Sequence, residues 1–138
     1  MRAITASLML LMATGVSTPA LAADNFSLYS DACYNVEGGD LLGHRVGILR
    51  LPDDVYVFVQ VAEGVWTDPF IAKASAADIK RGKLIFSFPD KEKRISFRGT
   101  IGDKSVIGRF DGWLDFKGKP LMVHLARMAA SKKGAPNC

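Results

Sequence analysis

Residues 94–111 read RISFRGTIGDKSVIGRFD, and this stretch decides the fold that the sequence predicts. Two segments of alternating apolar and polar character, residues 94–101 and 104–111, flank the pair Gly102-Asp103. A two-residue loop with glycine in the leading position is typical of a type II′ turn, which joins two antiparallel strands. The stretch therefore predicts a β-hairpin.

The Gly102-Asp103 loop also predicts which residues of the hairpin face each other. On the buried face, the expected pairs are Ile95 with Phe110, Phe97 with Gly108, and Gly99 with Val106. On the outer face, the expected pairs are Arg94 with Asp111 and Ser96 with Arg109. A slip of one residue would turn every apolar side chain to solvent, so this agreement supports the hairpin.

The same two-residue period continues outside the hairpin. Residues 54–62 place four valines on one side and the aromatic residues Tyr56 and Phe58 on the other. Residues 83–88 and 120–128 alternate in the same way, which is typical of strands with one buried face. Further segments are a less regular early strand at 45–51, a short strand ending near residue 74, and a single helical turn capped by Ser75 and ending near Gly82.

These segments predict an all-β fold of about seven or eight short antiparallel strands connected as a meander. We expect the meander to close into a barrel, because Gly99 and Gly108 lie where a strongly coiled sheet needs small residues. A β-sandwich is the alternative. In architecture the chain resembles small exported calycin-type barrels, the group that includes lipocalins and avidins, although the Gly-x-Trp motif of lipocalins is absent from residues 40–50.

The N-terminus has the features of an export signal. A basic residue at position 2 precedes an apolar run over residues 4–16, and Ala20 and Ala22 have the small-x-small spacing of a signal-peptidase site. We therefore expect residues 1–22 to be cleaved. Residues 23–138 then form a single barrel-like domain in the periplasm or outside the cell, with a loosely held tail over residues 131–137.

Export also affects how the two cysteines are interpreted. In an oxidising compartment an even number of cysteines indicates disulfides, and two cysteines permit one intramolecular pair, Cys33 with Cys138. Such a bond ties the flexible tail to the start of the domain. Two buried thiols, or a bond between two chains through Cys138, are the alternatives.

The sequence offers little catalytic chemistry. It contains no Gly-x-Ser-x-Gly nucleophile motif, and its only histidines, His44 and His124, are too few and too far apart in the chain to suggest a zinc site. We therefore expect neither an enzyme nor a bound metal or cofactor.

Aromatic side chains near the predicted loops are the best candidates for a small-ligand site. Trp66 and Trp113 lie where a barrel mouth is expected, with Tyr56 and Phe58 as neighbours. His124 joins this set if its face of the last strand, which also carries Met122 and Met128, points inward. Capping of the core is the alternative role for these rings.

Charge is distributed unevenly along the chain, although the formal net charge is only +4. Residues 23–78 contain nine acidic and three basic residues, whereas residues 79–138 contain five acidic and fourteen basic residues. In a meander, the two halves of the sequence become two sides of the molecule, so one wall is expected to be basic. Its candidate anion-binding residues are Lys91, Lys93, Arg94, Arg98 and Arg109.

Two functional hypotheses follow. The first is a monomeric, non-catalytic binding module that holds a small apolar or amphipathic ligand in or at the mouth of the barrel. The second is an inhibitor or adaptor that contacts a protein or an anionic envelope component through the basic wall. Nucleic acid is not an expected partner, and neither is a membrane that the chain would span.

Overall fold

The computed structural model describes residues 25–128 and 135–138. The predicted signal peptide, residues 1–22, lies outside the described residues, as do residues 131–134 of the predicted loose tail. Within the described ranges, no helix is long and apolar enough to cross a membrane.

The described chain consists of β-strands and one short helix. The strands are β1 (Phe26–Ser30), β2 (Cys33–Asn35), β3 (Asp40–Arg50), β4 (Val55–Trp66), β5 (Phe70–Ala74), β6 (Lys83–Asp90), β7 (Lys93–Ile101), β8 (Ser105–Leu114) and β9 (Pro120–Arg127). The helix, α1 (Ala76–Lys80), connects β5 to β6. The Ser75 hydroxyl accepts a hydrogen bond from the backbone amide of Asp78, so the predicted cap is confirmed.

Eight of the strands form a nearly closed antiparallel barrel in the order β5-β4-β3-β1-β9-β8-β7-β6, which confirms the predicted fold class. The short strand β2 pairs with the first residues of β3 and is not one of the eight barrel strands. The first and last strands, β1 and β9, close the barrel. The path ends at β5 and β6, which are not hydrogen-bonded to each other; across this seam the rings of Phe70 and Phe88 stack with centroids 4.8 Å apart.

Side chains fill the barrel interior. Four phenylalanines of β6–β8 pack ring against ring, and Phe97 and Phe110 have centroids 4.8 Å apart. The largest fully buried side chains are Tyr29, Phe88, Phe97, Phe110, Ile48, Leu84, Ile95, Leu125, Val46, Val57, Val59 and Val106. The expectation of a ligand held inside the barrel therefore gives way to sites on its ends and outer face.

The β7–β8 hairpin is present, but its predicted register is wrong by two residues, so every predicted pair is replaced by another. Phe97 faces Phe110 and Gly99 faces Gly108, because the loop is Asp103-Lys104 and Gly102 donates its amide to the Ser105 carbonyl at 2.9 Å. A Cβ atom on Gly108 would lie 2.4 Å from the Phe97 ring and 2.8 Å from the Gly99 Cα. The two glycines thus let the strands approach closely beneath the Phe97 ring.

The disulfide joins Cys33 to Cys138, which confirms the predicted pairing. The segment 135–138 lies beside β2: the Tyr34 amide donates to the Pro136 carbonyl at 2.7 Å, and the Cys138 amide donates to the Tyr34 carbonyl at 3.0 Å. Residues 135–137, which composition predicts to be loose, are therefore held by backbone hydrogen bonds. A disulfide is compatible with an oxidising, exported location.

Candidate functional site

The residues proposed from the sequence for ligand binding do not form one cluster. Trp113 lies at one end of the barrel, whereas Tyr56, Phe58 and Trp66 lie on the outer face of β4. His124 is exposed on the outer face of β9, because the inward positions of that strand are occupied by Val123 and Leu125. The condition under which His124 would line the barrel interior is therefore not met.

Trp113 caps the core at one end of the barrel. Its ring lies 4.9 Å from the Phe110 ring and 5.4 Å from the Phe88 ring, measured between centroids. The indole Nε1 donates a hydrogen bond to the Asp90 carboxylate at 2.9 Å. A shallow cleft of about 430 Å³ lies over this ring and also contacts His44. Trp113 thus has a structural partner for both its ring and its N–H group.

Tyr56 and Phe58 line the outer face of the other half of the barrel. Lys73 Nζ lies 5.2 Å from the centroid of the Tyr56 ring and bonds to the Asp54 carboxylate at 3.1 Å. The hydrogen bonds to Asp54, and then to Tyr56, raise the pKa of Lys73 above its ordinary value. Phe58 lies across from Gly47, beside the ring of Phe26 in a shallow apolar depression.

Trp66 and His124 lie on a second, larger cleft, which we call the Arg45 cleft. It has a volume of about 500 Å³ and lies on the outer surface between β3, β9 and the segment that follows β1. Its apolar lining consists of Ala32, Leu41, Ala126, Met128, Ala135 and Pro136. A volume of this size falls within the range of about 300–1,000 Å³ that is usual for small-molecule sites.

Arg45 is the functional candidate that sequence reasoning missed. Its outward side chain lies opposite Gln60 on β4, and its guanidinium carbon lies 3.9 Å from the centroid of the Trp66 ring. The Arg45 Nε atom is buried and has no hydrogen-bond partner among the described residues. Burial lowers the pKa of Arg45 from its ordinary value, because desolvation disfavours the charged form.

The acidic residue of the Arg45 cleft, Asp31, is already engaged by His44. One carboxylate oxygen accepts a hydrogen bond from the His44 amide, and the other lies 3.2 Å from His44 Nδ1. The chain passes so close to β3 here that a Cβ atom on Gly43, whose φ is +122°, would lie 2.7 Å from the Ala32 Cα. This close approach holds the Asp31 carboxylate against His44.

The five basic residues proposed from the sequence lie on the other half of the barrel, and all are exposed. Lys91 and Lys93 border the β6–β7 turn, and Arg94 donates to the Ser87 hydroxyl at 2.8 Å. Arg98 and Arg109 face each other across β7 and β8. We call the outer face of β6–β9 the cationic wall; its outward residues include Lys83, Ile85, Arg94, Arg98, Thr100, Ile107, Arg109, Asp111, Met122 and His124.

Residues 25–128 and 135–138 contain no group of three His, Cys, Asp or Glu side chains that could hold a metal ion. A signal for Arg45 was present in the sequence, because it is one of only three basic residues in the acidic half. Its stacking on Trp66 depends on pairing between β3 and β4, which local sequence does not reveal. No protein-family model, curated protein or solved structure matches the chain.

Proposed function

We propose that this protein is an exported, non-catalytic binding module that takes an amphipathic carboxylate in the Arg45 cleft. The carboxylate lies at the edge of the Arg45 guanidinium, and the apolar body of the ligand lies along the apolar lining of the cleft. This ligand is the small amphipathic molecule expected from the sequence, moved from the barrel mouth to the outer surface.

The observation that carries the proposal is the Arg45 side chain. A guanidinium stacked on an indole has its face covered, so its N–H donors point outward in the plane of the group. The ring of Trp66 covers one face at 3.9 Å, and the buried Nε has no acceptor among the described residues. Because Nε itself is buried, a carboxylate approaching in that plane would accept two parallel hydrogen bonds from the outer Nη groups of the guanidinium.

The surrounding charges favour an anion. Arg45 and Arg127 place two positive charges on the lining of the cleft, against the single carboxylate of Asp31, which bonds to His44. His124 also lines the cleft. The chain between Met128 and Ala135, the two lining residues that flank the undescribed segment, contains Lys132 and Lys133 but no Asp or Glu. This segment therefore contains no acidic side chain.

The apolar lining explains why the ligand is amphipathic. A free inorganic anion would satisfy Arg45 but would leave Leu41, Ala126 and Met128 in contact with water. An acyl or aromatic body covers these side chains, and each buried methylene contributes about 0.8 kcal/mol. The proposal therefore requires both a carboxylate and an apolar body.

Calorimetric titration with decanoate, below its micelle-forming concentration, tests the proposal. We expect decanoate to bind more tightly than decanol, and Arg45→Gln to weaken decanoate binding by about tenfold or more, because a hydrogen bond to a charged group contributes about 1.5–3 kcal/mol. Decanol binding should be unaffected by Arg45→Gln. The control variant, Arg98→Gln, removes the same charge from the cationic wall and should leave decanoate binding unchanged. Equal affinities for decanoate and decanol, or an Arg45→Gln variant that binds decanoate normally, would reject the proposal.

A further inference from the structure

The cationic wall carries aliphatic and basic side chains in the same rows. Across the four strands, one row runs Ile85, Arg98, Arg109, Met122, and the next row runs Lys83, Thr100, Ile107, His124. Neighbouring strands lie about 4.8 Å apart, so each aliphatic side chain lies beside a polar or charged one. The wall is thus a mixed surface rather than separate charged and apolar patches.

Three large aliphatic side chains of this wall are exposed. The exposed fraction is 45% for Ile85, 44% for Ile107 and 64% for Met122. One face of an antiparallel sheet packs on the core, and the other normally carries polar side chains. Three large aliphatic residues on the solvent face of one wall therefore favour a surface that is covered when the protein functions.

Positive charge is concentrated on the same wall without full compensation. Arg98 lies directly opposite Arg109 in the β7–β8 pairing, although like charges in opposed positions destabilise a sheet. Arg109 is paired with Asp111, with Nε and Oδ1 2.9 Å apart. Among the described residues, Arg98 forms no salt bridge. An anionic partner would relieve this repulsion.

We propose that the cationic wall docks on the surface of an anionic lipid bilayer. The headgroup region offers phosphates to the arginines and an apolar boundary a few ångströms deeper for Ile85, Ile107 and Met122. An acidic polysaccharide would satisfy the charges but would leave the aliphatic side chains without a partner. Lys91 lies in the turn at one end of the wall, next to Lys93 at the start of β7, and Lys104 lies in the turn at the other end, so the positive surface extends in both directions.

Sedimentation with lipid vesicles tests this inference on the full chain with its disulfide formed. The vesicles contain phosphatidylcholine alone, or phosphatidylcholine with about one third phosphatidylglycerol. Each cation near an anionic surface is worth a change in affinity of roughly fivefold. We therefore expect the double variant R98Q/R109Q to bind the anionic vesicles at least tenfold more weakly than the wild type.

Matched variants on the other half of the barrel keep the test specific. Lys73→Gln combined with Lys80→Gln removes the same total charge from exposed positions outside the wall. Ile107→Ser is compared with Ile71→Ser, whose side chain is 57% exposed on the outer face of β5. Every variant keeps the same N-terminal segment, so any contribution of its apolar run to vesicle binding cancels. We expect only the wall variants to lose affinity.

Three results would overturn the inference. The first is equal binding to neutral and anionic vesicles. The second is an equal loss of affinity in R98Q/R109Q and in the Lys73 and Lys80 double variant. The third is binding to polyglutamate that is as tight as binding to anionic vesicles and insensitive to Ile107→Ser, which would identify an acidic protein as the partner instead.

Discussion

The two halves of the barrel hold their outward charges in different ways. On the β1–β5 half, Lys73 is paired with Asp54 and lies over the Tyr56 ring, while Arg45 lies over Trp66. On the β6–β9 half, Arg98 directly faces Arg109 beside exposed aliphatic side chains. The two halves therefore differ at these positions, because Lys73 has an acidic partner whereas Arg98 faces a second cation and forms no salt bridge among the described residues.

This contrast shows where the basic half obtains its stability. The repulsion between the outward Arg98 and Arg109 is unfavourable, but the inward side chains of the same strands pack against one another. The Phe97 ring lies over Gly99 and Gly108, and it packs against Phe110 and Phe86 at centroid distances of 4.8 and 5.0 Å. The apolar inner face thus compensates for an outer face on which two arginines oppose each other.

Removal of the disulfide should have the largest effect, because this bond links β2 on one half to the segment that follows β9 on the other. The cysteines are 105 residues apart, and a loop of this size corresponds to about 4–5 kcal/mol in the chain-entropy model. We expect Cys33→Ser with Cys138→Ser to lose about 3–5 kcal/mol of unfolding free energy. Urea unfolding measures this change in unfolding free energy, and a loss below about 1 kcal/mol would show that the disulfide contributes little to stability.

Gly108→Ala should have the next largest effect and should be confined to the basic half. The added methyl would meet the Phe97 ring at 2.4 Å and the Arg98 carbonyl oxygen at 2.6 Å, so the strands must move apart. Overpacking of this kind costs about 2–3 kcal/mol. Gly102→Ala is the control, because its nearest neighbour would be the Ser105 carbonyl oxygen at 3.9 Å. Thermal unfolding that gives the two variants equal stability would contradict the close approach of β7 and β8.

Arg98→Gln and Lys73→Gln should produce the smallest effects, with opposite signs. Relief of the repulsion from Arg109 should stabilise Arg98→Gln by about 0.2–1 kcal/mol at low salt, and added salt should remove the gain. Lys73→Gln should destabilise slightly. A gain that is independent of salt would argue against a charge effect at Arg98.

The effect of Lys73→Gln should also depend on pH. The bond to Asp54 raises the pKa of Lys73 in the folded state, so protonated Lys73 stabilises the fold at neutral pH. This contribution is lost as the pH rises from the ordinary lysine pKa through the raised one. Thermal melts of the wild type and Lys73→Gln should therefore converge in alkaline solution, and a constant difference would contradict the assignment.

Much of the fold could be predicted from the sequence, because alternation marks the buried face of each strand. The register of the β7–β8 hairpin could not, since pairing Phe97 with Gly108 or with Phe110 leaves the same residues inside. The hydrophobic pattern therefore cannot distinguish these two registers. Strand β1 could not be predicted from the sequence, because its inward positions are Ser27 and Tyr29, neither of which is a typical core residue.

The candidate site was harder to predict than the fold. Trp66 and His124 could be proposed as binding residues because they are a large ring and a titratable group. The face of the sheet to which each points, however, depends on which residues of its strand face inward. The role of Arg45 depends on β3 pairing with β4, which brings it to Trp66, and on the position of Asp31 near His44. These contacts join segments that are far apart in the sequence.

The two tryptophans allow one direct test of the central claim, that the anion site is the Arg45 cleft, at Arg45 and Trp66 on the outer surface between β3 and β9. A nitrogen–proton correlation spectrum of the ¹⁵N-labelled protein shows one indole resonance for Trp66 and one for Trp113, and Trp113→Phe assigns them. On titration with decanoate, we expect the Trp66 resonance to shift while the Trp113 resonance stays in place. A shift of Trp113 alone, or no shift of either, would contradict the account.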